Sequence, residues 1–498
     1  MKKRLSAFFC LAAMQPILMT GCAVGPDFRP PDFKTPPHFT AAPLPAETAA
    51  TDTKGGNAQR FAFAEDLSAQ WWTLFGSPEL DTLVRQGLTN SPSMAAAQAA
   101  LRKAEENYRA ARGALLFPGV DASIYGGRQR TSTYTNGGGD NTFNLYHASV
   151  GVSYTLDLFG GSRRRLEALQ AQVDYQRFLY EAAYLTLAAN IVTTAIREAA
   201  LRDEIAATHE ILKAEEKHLK VVQKQFELGA VARIAVLAQQ TELAATKASL
   251  PPLEKEHALT RHALSVLVGR TPGEGHVSDF SLDRIVLPEN LPVSLPSVLA
   301  RQRPDIRAAE SVLHQACAEV GAATANLYPR VTLSGGYGTE ALGTGDLFSS
   351  PSIVWNLGAG LLQPLFHGGE LTAKRRAAIA AFDEAAAQYR QTVLKAFQDV
   401  ADVLRSLETD ARTLQAEAEA KAAATATLEM AEKQFELGAV NYLYLLVAQR
   451  NYHRARVSLI AARAVRYADT AALFQALGGG WWNREGGEPG TTPMQESN

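Results

Sequence analysis

The phrase QFELGAV occupies residues 225–231 and returns unchanged at residues 434–440, 209 positions later. Each copy ends a long stretch that contains neither proline nor glycine, at residues 162–228 and 370–437. Apolar residues recur every three or four positions along these stretches, which predicts an amphipathic helix. At a rise of 1.5 Å per residue, each helix would be about 100 Å long. A helix of that length extends well beyond the core of an ordinary globular domain.

The glycine of each phrase is predicted to end the long helix. Gly229 and Gly438 supply the left-handed conformation that commonly terminates a helix. Helical patterning resumes at once, at residues 234–267 and 443–477. Each phrase is therefore predicted to form the tip of a long helical hairpin. The last core residues before the turns are predicted to be Phe226 and Phe435.

Other landmarks recur in the same order in both halves of the chain. The matched pairs are Pro92 and Pro304, Pro118 and Pro329, and Leu158 and Leu365, with offsets of 212, 211 and 207. Landmarks that keep their order and near-constant spacing indicate an internal duplication of roughly 200 residues. The two predicted structural repeats are residues 77–285 and 286–482.

Each repeat also carries a predicted β-hairpin, at residues 120–158 and 331–365. Alternation is clearest in the first, where the residues on one face are Tyr146, Ala148, Val150, Val152, Tyr154 and Leu156. The intervening residues are small or polar, which gives a period of two. An apolar face opposite a polar one is typical of a barrel wall with lipid outside and water inside. The alternative is a half-buried sheet of a soluble domain.

Four strands cannot close into a membrane barrel. An open sheet in lipid leaves unpaired backbone groups, and each costs several kcal/mol. The smallest membrane barrels have eight strands. The chain is therefore expected to pool its strands with copies of itself, and symmetry alone allows two, three or more protomers.

The N-terminus has the pattern of an export signal at residues 1–21. Three basic residues precede an apolar run that is too short to span a membrane as a helix. The run ends in Leu-Met-Thr-Gly before Cys22, which resembles a lipobox and predicts lipidation of Cys22. The alternative is an ordinary secretory signal followed by a chance cysteine. After signal removal and lipidation only Cys317 remains, which excludes an internal disulfide.

Composition argues against several classes of function. The 498 residues carry a net charge of −2, which offers no basic face to nucleic acid. The ten histidines have no convincing metal spacing, and no later segment has 18 continuous apolar residues. No nucleophile elbow, phosphate loop or Cys/His pair is found. We expect no enzyme activity, no metal site and no cofactor.

Several phrases together resemble the TolC-type outer-membrane efflux factors, in their lipoprotein (OprM/NodT-like) branch. They are the CAVGPDFRP phrase from Cys22, WWTLF from Trp71, RPDI from Arg303, both QFELGAV phrases and ALGGGW up to Trp481. Each phrase is weak by itself, but in this order they extend over nearly the whole mature chain.

The resemblance implies a mixed α and β membrane protein that acts as a homotrimer. Four β-strands from each protomer would form a 12-stranded β-barrel in the outer membrane, and the helical hairpins a 12-helix α-barrel tunnel through the periplasm. The lipid-anchored segment 22–76 would wrap the equatorial region, while residues 483–498 are predicted to be a disordered tail. The implied partners are outer membrane lipid, a periplasmic adaptor (membrane fusion) protein and an inner-membrane pump of the resistance-nodulation-division type.

The predicted periplasmic gate departs from the family pattern. Relatives commonly place a carboxylate where Val447 stands, one turn before the arginine matched by Arg450, and Ala235 stands where an aspartate is common. Leu443 matches a position that forms an apolar constriction in relatives. We therefore expect an apolar gate of Leu443 backed by Val447, since a hydrophobic constriction can close by dewetting. The alternative is that Val447 packs between helices and another ring seals the mouth.

The resulting interpretation is a passive conduit that exports drugs or other toxic small molecules as part of a tripartite system. Two alternatives remain open. One is an exporter within a type I secretion or metal-efflux system, and the other is a coiled-coil structural lipoprotein without a channel.

Overall fold

The computed structural model describes residues 23–31, 36–132, 141–274 and 279–484. The predicted signal peptide, Cys22 and the tail from residue 485 onward lie outside the described residues. Two residues that we assigned to the disordered tail are ordered. Asn483 ends a short 3-10 helix, and Arg484 donates to the buried Glu181 carboxylate at 2.8 Å. The C-terminal fold therefore extends at least two residues beyond the predicted boundary, because an ion pair holds it.

The described residues form eight α-helices and six β-strands. In chain order the elements are β1 (Arg60–Phe63), α1 (Pro78–Asn90), α2 (Pro92–Leu116), β2 (Gly119–Thr131), β3 (Asn141–Leu156), α3 (Gly161–Glu227), α4 (Arg233–Leu267), β4 (Asn290–Val293), α5 (Pro296–Gln302), α6 (Pro304–Ala325), β5 (Arg330–Ala341), β6 (Ile353–Leu362), α7 (Glu370–Glu436) and α8 (Tyr442–Ala476). The order helix, hairpin, long helix, turn, helix thus occurs in both halves. The long helices α3 and α7 have 67 residues each.

The chain packs into two compact units, and each unit draws on both repeats. Unit 1 contains the described residues within 100–177 and 308–390 together with residues 23–31. Unit 2 contains the described residues within 36–99, 178–307 and 391–484. Spatial units and sequence repeats therefore do not coincide, because the long helices are too long to belong to a single core.

Unit 1 is built around a four-stranded antiparallel sheet with the order β2-β3-β5-β6. The register places Val150 beside Ala122 and Tyr337, and Tyr337 beside Trp355. The predicted apolar face of β3 is thus continuous across all four strands. Ser149 and Ser153 lie on the opposite face, beside Ser123 and Ser334. The alternation seen in the sequence is a property of the whole sheet.

Unit 2 contains the largest hydrophobic core. Aromatic rings from the Trp71–Phe75 turn pack against Phe474 of α8, with the Trp71 and Phe474 centroids 5.6 Å apart. The buried Arg466 donates to the carbonyls of Gly55 and Asn57 and so ties the N-terminal segment to α8. Strand β1 in that segment pairs in parallel with β4. Residues 55–63 of the N-terminal segment are therefore part of the packed structure of unit 2.

Among the described residues, α3 alone is long and apolar enough to be a candidate membrane span by length and composition. The core helix of a soluble protein can meet the same criterion. Of the apolar window in α3, 44% is buried within the protein.

Candidate functional site at the helical tips

The two QFELGAV phrases form the same turn. Gly229 and Gly438 have φ angles of 77° and 72°, in the left-handed region. In each turn the glycine N–H donates to the carbonyl three residues back, and the next residue donates to the carbonyl five residues back. These two bonds define a Schellman motif, which satisfies carbonyls at the end of the helix. The turn between α3 and α4 is called the first tip below, and the turn between α7 and α8 the second tip.

The helices that leave the two tips start differently. The side chain of Asn441 accepts a hydrogen bond from the Tyr444 N–H at 3.0 Å and caps α8. Ala232 occupies the equivalent place before α4 and offers no side-chain cap. A good N-cap satisfies one of the free N–H groups at a helix start and stabilises it by about 1 kcal/mol. The second tip therefore has the better-defined helix start.

A small apolar cluster joins the two hairpins behind the tips. Its buried members are Val222, Ala235, Ala431, Tyr442, Leu445, Leu446 and Ala448. The Phe435 ring meets the Tyr442 ring edge-on, with centroids 5.5 Å apart. Phe226 does not join the cluster, and 42% of its surface is exposed. The prediction that both phenylalanines are core residues is thus wrong for Phe226, because the first tip has no large side chain like Tyr442 to pack against it.

A polar network lies beside this cluster. Arg450 of α8 donates through Nε to the Glu242 carboxylate of α4 at 3.1 Å. The Tyr442 hydroxyl donates to the side-chain oxygen of Gln239, also on α4. Glu215 of α3 accepts from the Thr246 hydroxyl at 3.0 Å. The network connects the two hairpins through three elements.

Sequence reasoning gave Arg450 no partner, since it sought a carboxylate at Val447. The partner is Glu242, which is 208 residues away along the chain. One signal was available, because Gln239, Glu242 and Thr246 share one face of α4 at spacings of three and four. The spacing shows a polar stripe, but only the tertiary structure shows that the stripe is buried.

Burial changes the proton affinities in this network. Burial raises the pKa of Glu215 to about 7, and the nearby charge of Glu242 acts in the same direction. Burial likewise raises the pKa of the Tyr442 hydroxyl and lowers the pKa of His453. Hydrogen bonding to Glu242 raises the pKa of Arg450, which therefore stays charged.

The predicted gate residues lie on the exposed side of α8. Leu443 and Val447 are each 53% exposed. Arg450 follows Val447 by three residues, so the three side chains form one stripe along the helix. Among the described residues of this chain, Val447 is therefore not buried against another helix. In the part of the chain that the structure describes, no group of three or more His, Cys, Asp or Glu could hold a metal ion.

A family model and a related protein each match most of this chain. The family model described as "Outer membrane efflux protein" matches residues 83–270 and 295–479. The pyoverdine export outer membrane protein OpmQ of Pseudomonas aeruginosa is 32% identical over 452 residues, which cover 89% of this chain and 94% of OpmQ.

Two solved structures of outer-membrane channels also match this chain. The outer-membrane channel OprN matches with a TM-score of 0.83 and 28% identity, covering 92% of this chain and 100% of OprN. The open state of the Neisseria gonorrhoeae MtrE outer membrane channel matches with a TM-score of 0.80 and 27% identity, covering 92% of this chain and 99% of MtrE. The predicted fold class and the family resemblance are confirmed. This chain belongs to the outer membrane efflux protein family and is an outer-membrane channel component of an efflux system.

Proposed function

We propose that three copies of this chain assemble into a passive conduit that carries small molecules across the periplasm and the outer membrane. The observation that carries this proposal is the continuous apolar face of the four-stranded sheet. Strands β2 and β6 are the edges of the sheet, and their outer backbone groups need partners in lipid. Three copies supply 12 strands, the number that the family resemblance implies.

Lipidation of Cys22 would anchor each protomer to the outer membrane. The residues that follow Cys22 are held to unit 1 by a few contacts, among them the Val24 N–H, which donates to the Phe159 carbonyl. Asp27 accepts from Arg164 at 2.6 Å, and Phe28 stacks on His314 with ring centroids 4.3 Å apart. Mass spectrometry of the purified protein would test the anchor, and an unmodified Cys22 in the mature chain would contradict it. Cys22→Ser should abolish the mass added by acylation.

The proposed partners are a periplasmic adaptor protein and an inner-membrane pump of the resistance-nodulation-division type. Exposed apolar side chains are concentrated at the two tips, and we take this concentration to favour a docking role because exposed apolar patches mark interaction sites. Leu228 and Leu437 are 73% and 84% exposed, and Ile234 is 65% exposed. The related OpmQ is named a pyoverdine export protein, and its name agrees with export of a small molecule by this chain.

The gate is proposed to be apolar, with Leu443 and Val447 from three protomers narrowing the periplasmic mouth. Glu242 neutralises Arg450 inside one chain, so Arg450 is already paired without an acidic ring. In planar bilayers Leu443→Ser should raise the resting conductance, while the control Leu437→Ser at the same tip should not. Unchanged conductance for Leu443→Ser would remove Leu443 from the gate. Strong block by millimolar multivalent cations on the periplasmic side would favour an acidic ring instead.

One experiment tests the proposal as a whole. The purified protein in mild detergent should have the mass of a trimer, and it should give discrete single-channel steps in a planar bilayer. A monomer without conductance would contradict the conduit and favour a structural lipoprotein. Export of a polypeptide or of metal ions by reconstituted vesicles would favour the type I secretion or metal-efflux alternatives. Since the family consists of channel proteins, we expect no turnover of any substrate by the purified chain.

A further inference from the structure

A cavity of about 490 Å³ lies in unit 1 where the sheet meets the helices. Its walls come from the end of α2, the start of β2, the end of β3, the start of α3, the end of α6 and the start of β5. Cavities of this size are typical of small-molecule sites. None of the proposed gate residues lines it.

Two arginines line the cavity without a carboxylate partner. Arg165 is exposed, and among the described residues it makes no hydrogen bond or ion pair. Arg330 donates to the side-chain oxygen of Asn326 at 2.7 Å, which is a neutral acceptor. Asp157 is the one acidic residue in the lining that the structure describes. Its carboxylate already accepts from the Ser162 and Arg163 N–H groups and from the Arg163 guanidinium. The cavity therefore has two uncompensated positive charges.

Apolar side chains also line the cavity, among the polar ones. Leu115 lies at the end of α2 and Phe117 directly after it, and Phe117 is 60% exposed. Phe159 also lines the cavity, and its ring stacks on Tyr328 with centroids 4.7 Å apart. Guanidinium groups beside an apolar and aromatic surface suit a ligand with an anionic group and an apolar body.

Arg165 projects from a different face of α3 than Arg164, although the segment that follows Cys22 reaches the edge of the cavity, where the Val24 N–H donates to the Phe159 carbonyl. Arg164 faces that segment and bonds to Asp27, whereas Arg165 lies about 100° further around the helix. Ser153 and Thr155 on the polar face of the sheet line the cavity together with Tyr154 and Leu156 on the apolar face. In the proposed barrel the polar face is the water-filled side, so Ser153 and Thr155 are the lining residues that a solute in the channel would meet.

We propose that this cavity is a binding site for organic anions that pass through the channel, with Arg165 and Arg330 holding the anionic group and Phe117 contacting the apolar body. This inference rests on the proposed conduit and names a class of solute that the conduit favours. Binding as proposed requires both the positive charge of the two arginines and the apolar side chains beside them.

The test uses the full-length channel in a planar bilayer with probes added to the extracellular side. 1-Naphthalenesulfonate should reduce the single-channel current, and 1-naphthylmethylammonium, which has the same rings and the opposite charge, should do so far more weakly. Methanesulfonate, which lacks the rings, should also be weak. The double variant Arg165→Gln with Arg330→Gln should raise the half-blocking concentration of 1-naphthalenesulfonate by about tenfold.

The matched control is Arg29→Gln, which removes the same charge from the segment on the other face of α3. It should leave the half-blocking concentration within about twofold of the wild type. An equal effect of the control, or no effect of the double variant, would overturn the proposal while leaving the conduit intact. If the double variant fails to assemble, equal block of the wild type by the anionic and cationic naphthalenes overturns it. A wild-type protein that gives no channels contradicts the conduit itself, and the inference with it.

Discussion

The two tips carry the same seven residues and form the same turn, yet they are supported by different contacts. The second tip is followed by the cap Asn441 and the buried Tyr442, which is 4% exposed. The equivalent positions after the first tip are Ala232 without a side-chain cap and the exposed Arg233. The first hairpin contributes the buried carboxylates Glu215 and Glu242 instead. The duplication thus preserved the turn, while the residues beyond it diverged into complementary halves of one interface.

The largest expected difference between the tips comes from their aromatic residues. Tyr442→Ala should destabilise the second tip by about 3–5 kcal/mol, because it removes a buried ring from the cluster that joins the hairpins. The matched change Phe226→Ala should cost less than about 1 kcal/mol, since Phe226 is half-exposed. Amide hydrogen exchange in residues 428–448 and 219–239 measures both. Equal losses of protection would contradict the asymmetry.

A pH dependence should appear around Glu215 in the first hairpin. Burial raises the pKa of Glu215 from 4.5 to about 7, so the folded hairpin holds a proton that the opened hairpin releases. This contribution is fully present below about pH 4.5 and is lost as the pH rises through about 7. We expect a loss on the order of 2–3 kcal/mol over that window.

Hydrogen exchange corrected for its intrinsic pH dependence would measure this effect. Glu215→Gln should reduce the pH dependence of protection around residue 215 and around its partner Thr246. The second hairpin has Ala424 at the position that matches Glu215, so it has no equivalent carboxylate there. An unchanged pH dependence around residue 215 in the Glu215→Gln variant would exclude Glu215 as its source.

The two tip glycines should respond equally to substitution. Gly229→Ala and Gly438→Ala should each cost about 1–2 kcal/mol, the usual cost of a left-handed conformation for an L-residue. Neither position has an atom within 4 Å of an added Cβ, so no packing difference enters. The measurement is again local hydrogen exchange. A difference of more than about 1 kcal/mol between the sites would mean that the turns are not equivalent.

The smallest difference concerns the helix starts. Asn441→Ala should destabilise the start of α8 by about 1 kcal/mol, because the Tyr444 N–H loses its acceptor. Ala232→Asn should stabilise the start of α4 by a similar amount. Protection of the first-turn amides of each helix reports the result. Ala232 already has the extended backbone of Asn441, with φ of −78° at both residues, so an Ala232→Asn variant without effect would contradict this explanation of the difference.

Local patterns predicted much of the fold. The long helices predicted at residues 162–228 and 370–437 are α3 and α7, each within one residue at both ends. Such accuracy is possible because an uninterrupted helical period and a terminal glycine are local signals. The faces of the sheet were also evident, since alternation identifies a strand's two sides before its partners are known.

The candidate site was only partly predictable. The turns and the exposed Leu443 follow from local pattern, but the Glu242 partner of Arg450 does not. A side-chain contact between residues 208 positions apart produces no periodic pattern in the sequence of either helix. The cavity lined by Arg165 and Arg330 was missed for the same reason, because its walls come from three stretches of the chain that are distant in sequence.

By itself, the sequence determined the duplicated plan, the helical hairpins, the glycine turns and the two-faced strands, because each depends on residues that are close along the chain. The tertiary structure alone decided which charges are paired. Glu242 neutralises Arg450, while Arg165 and Arg330 face a cavity without a free carboxylate. Pairing depends on the distance between side chains in space, and a one-dimensional pattern does not contain that distance.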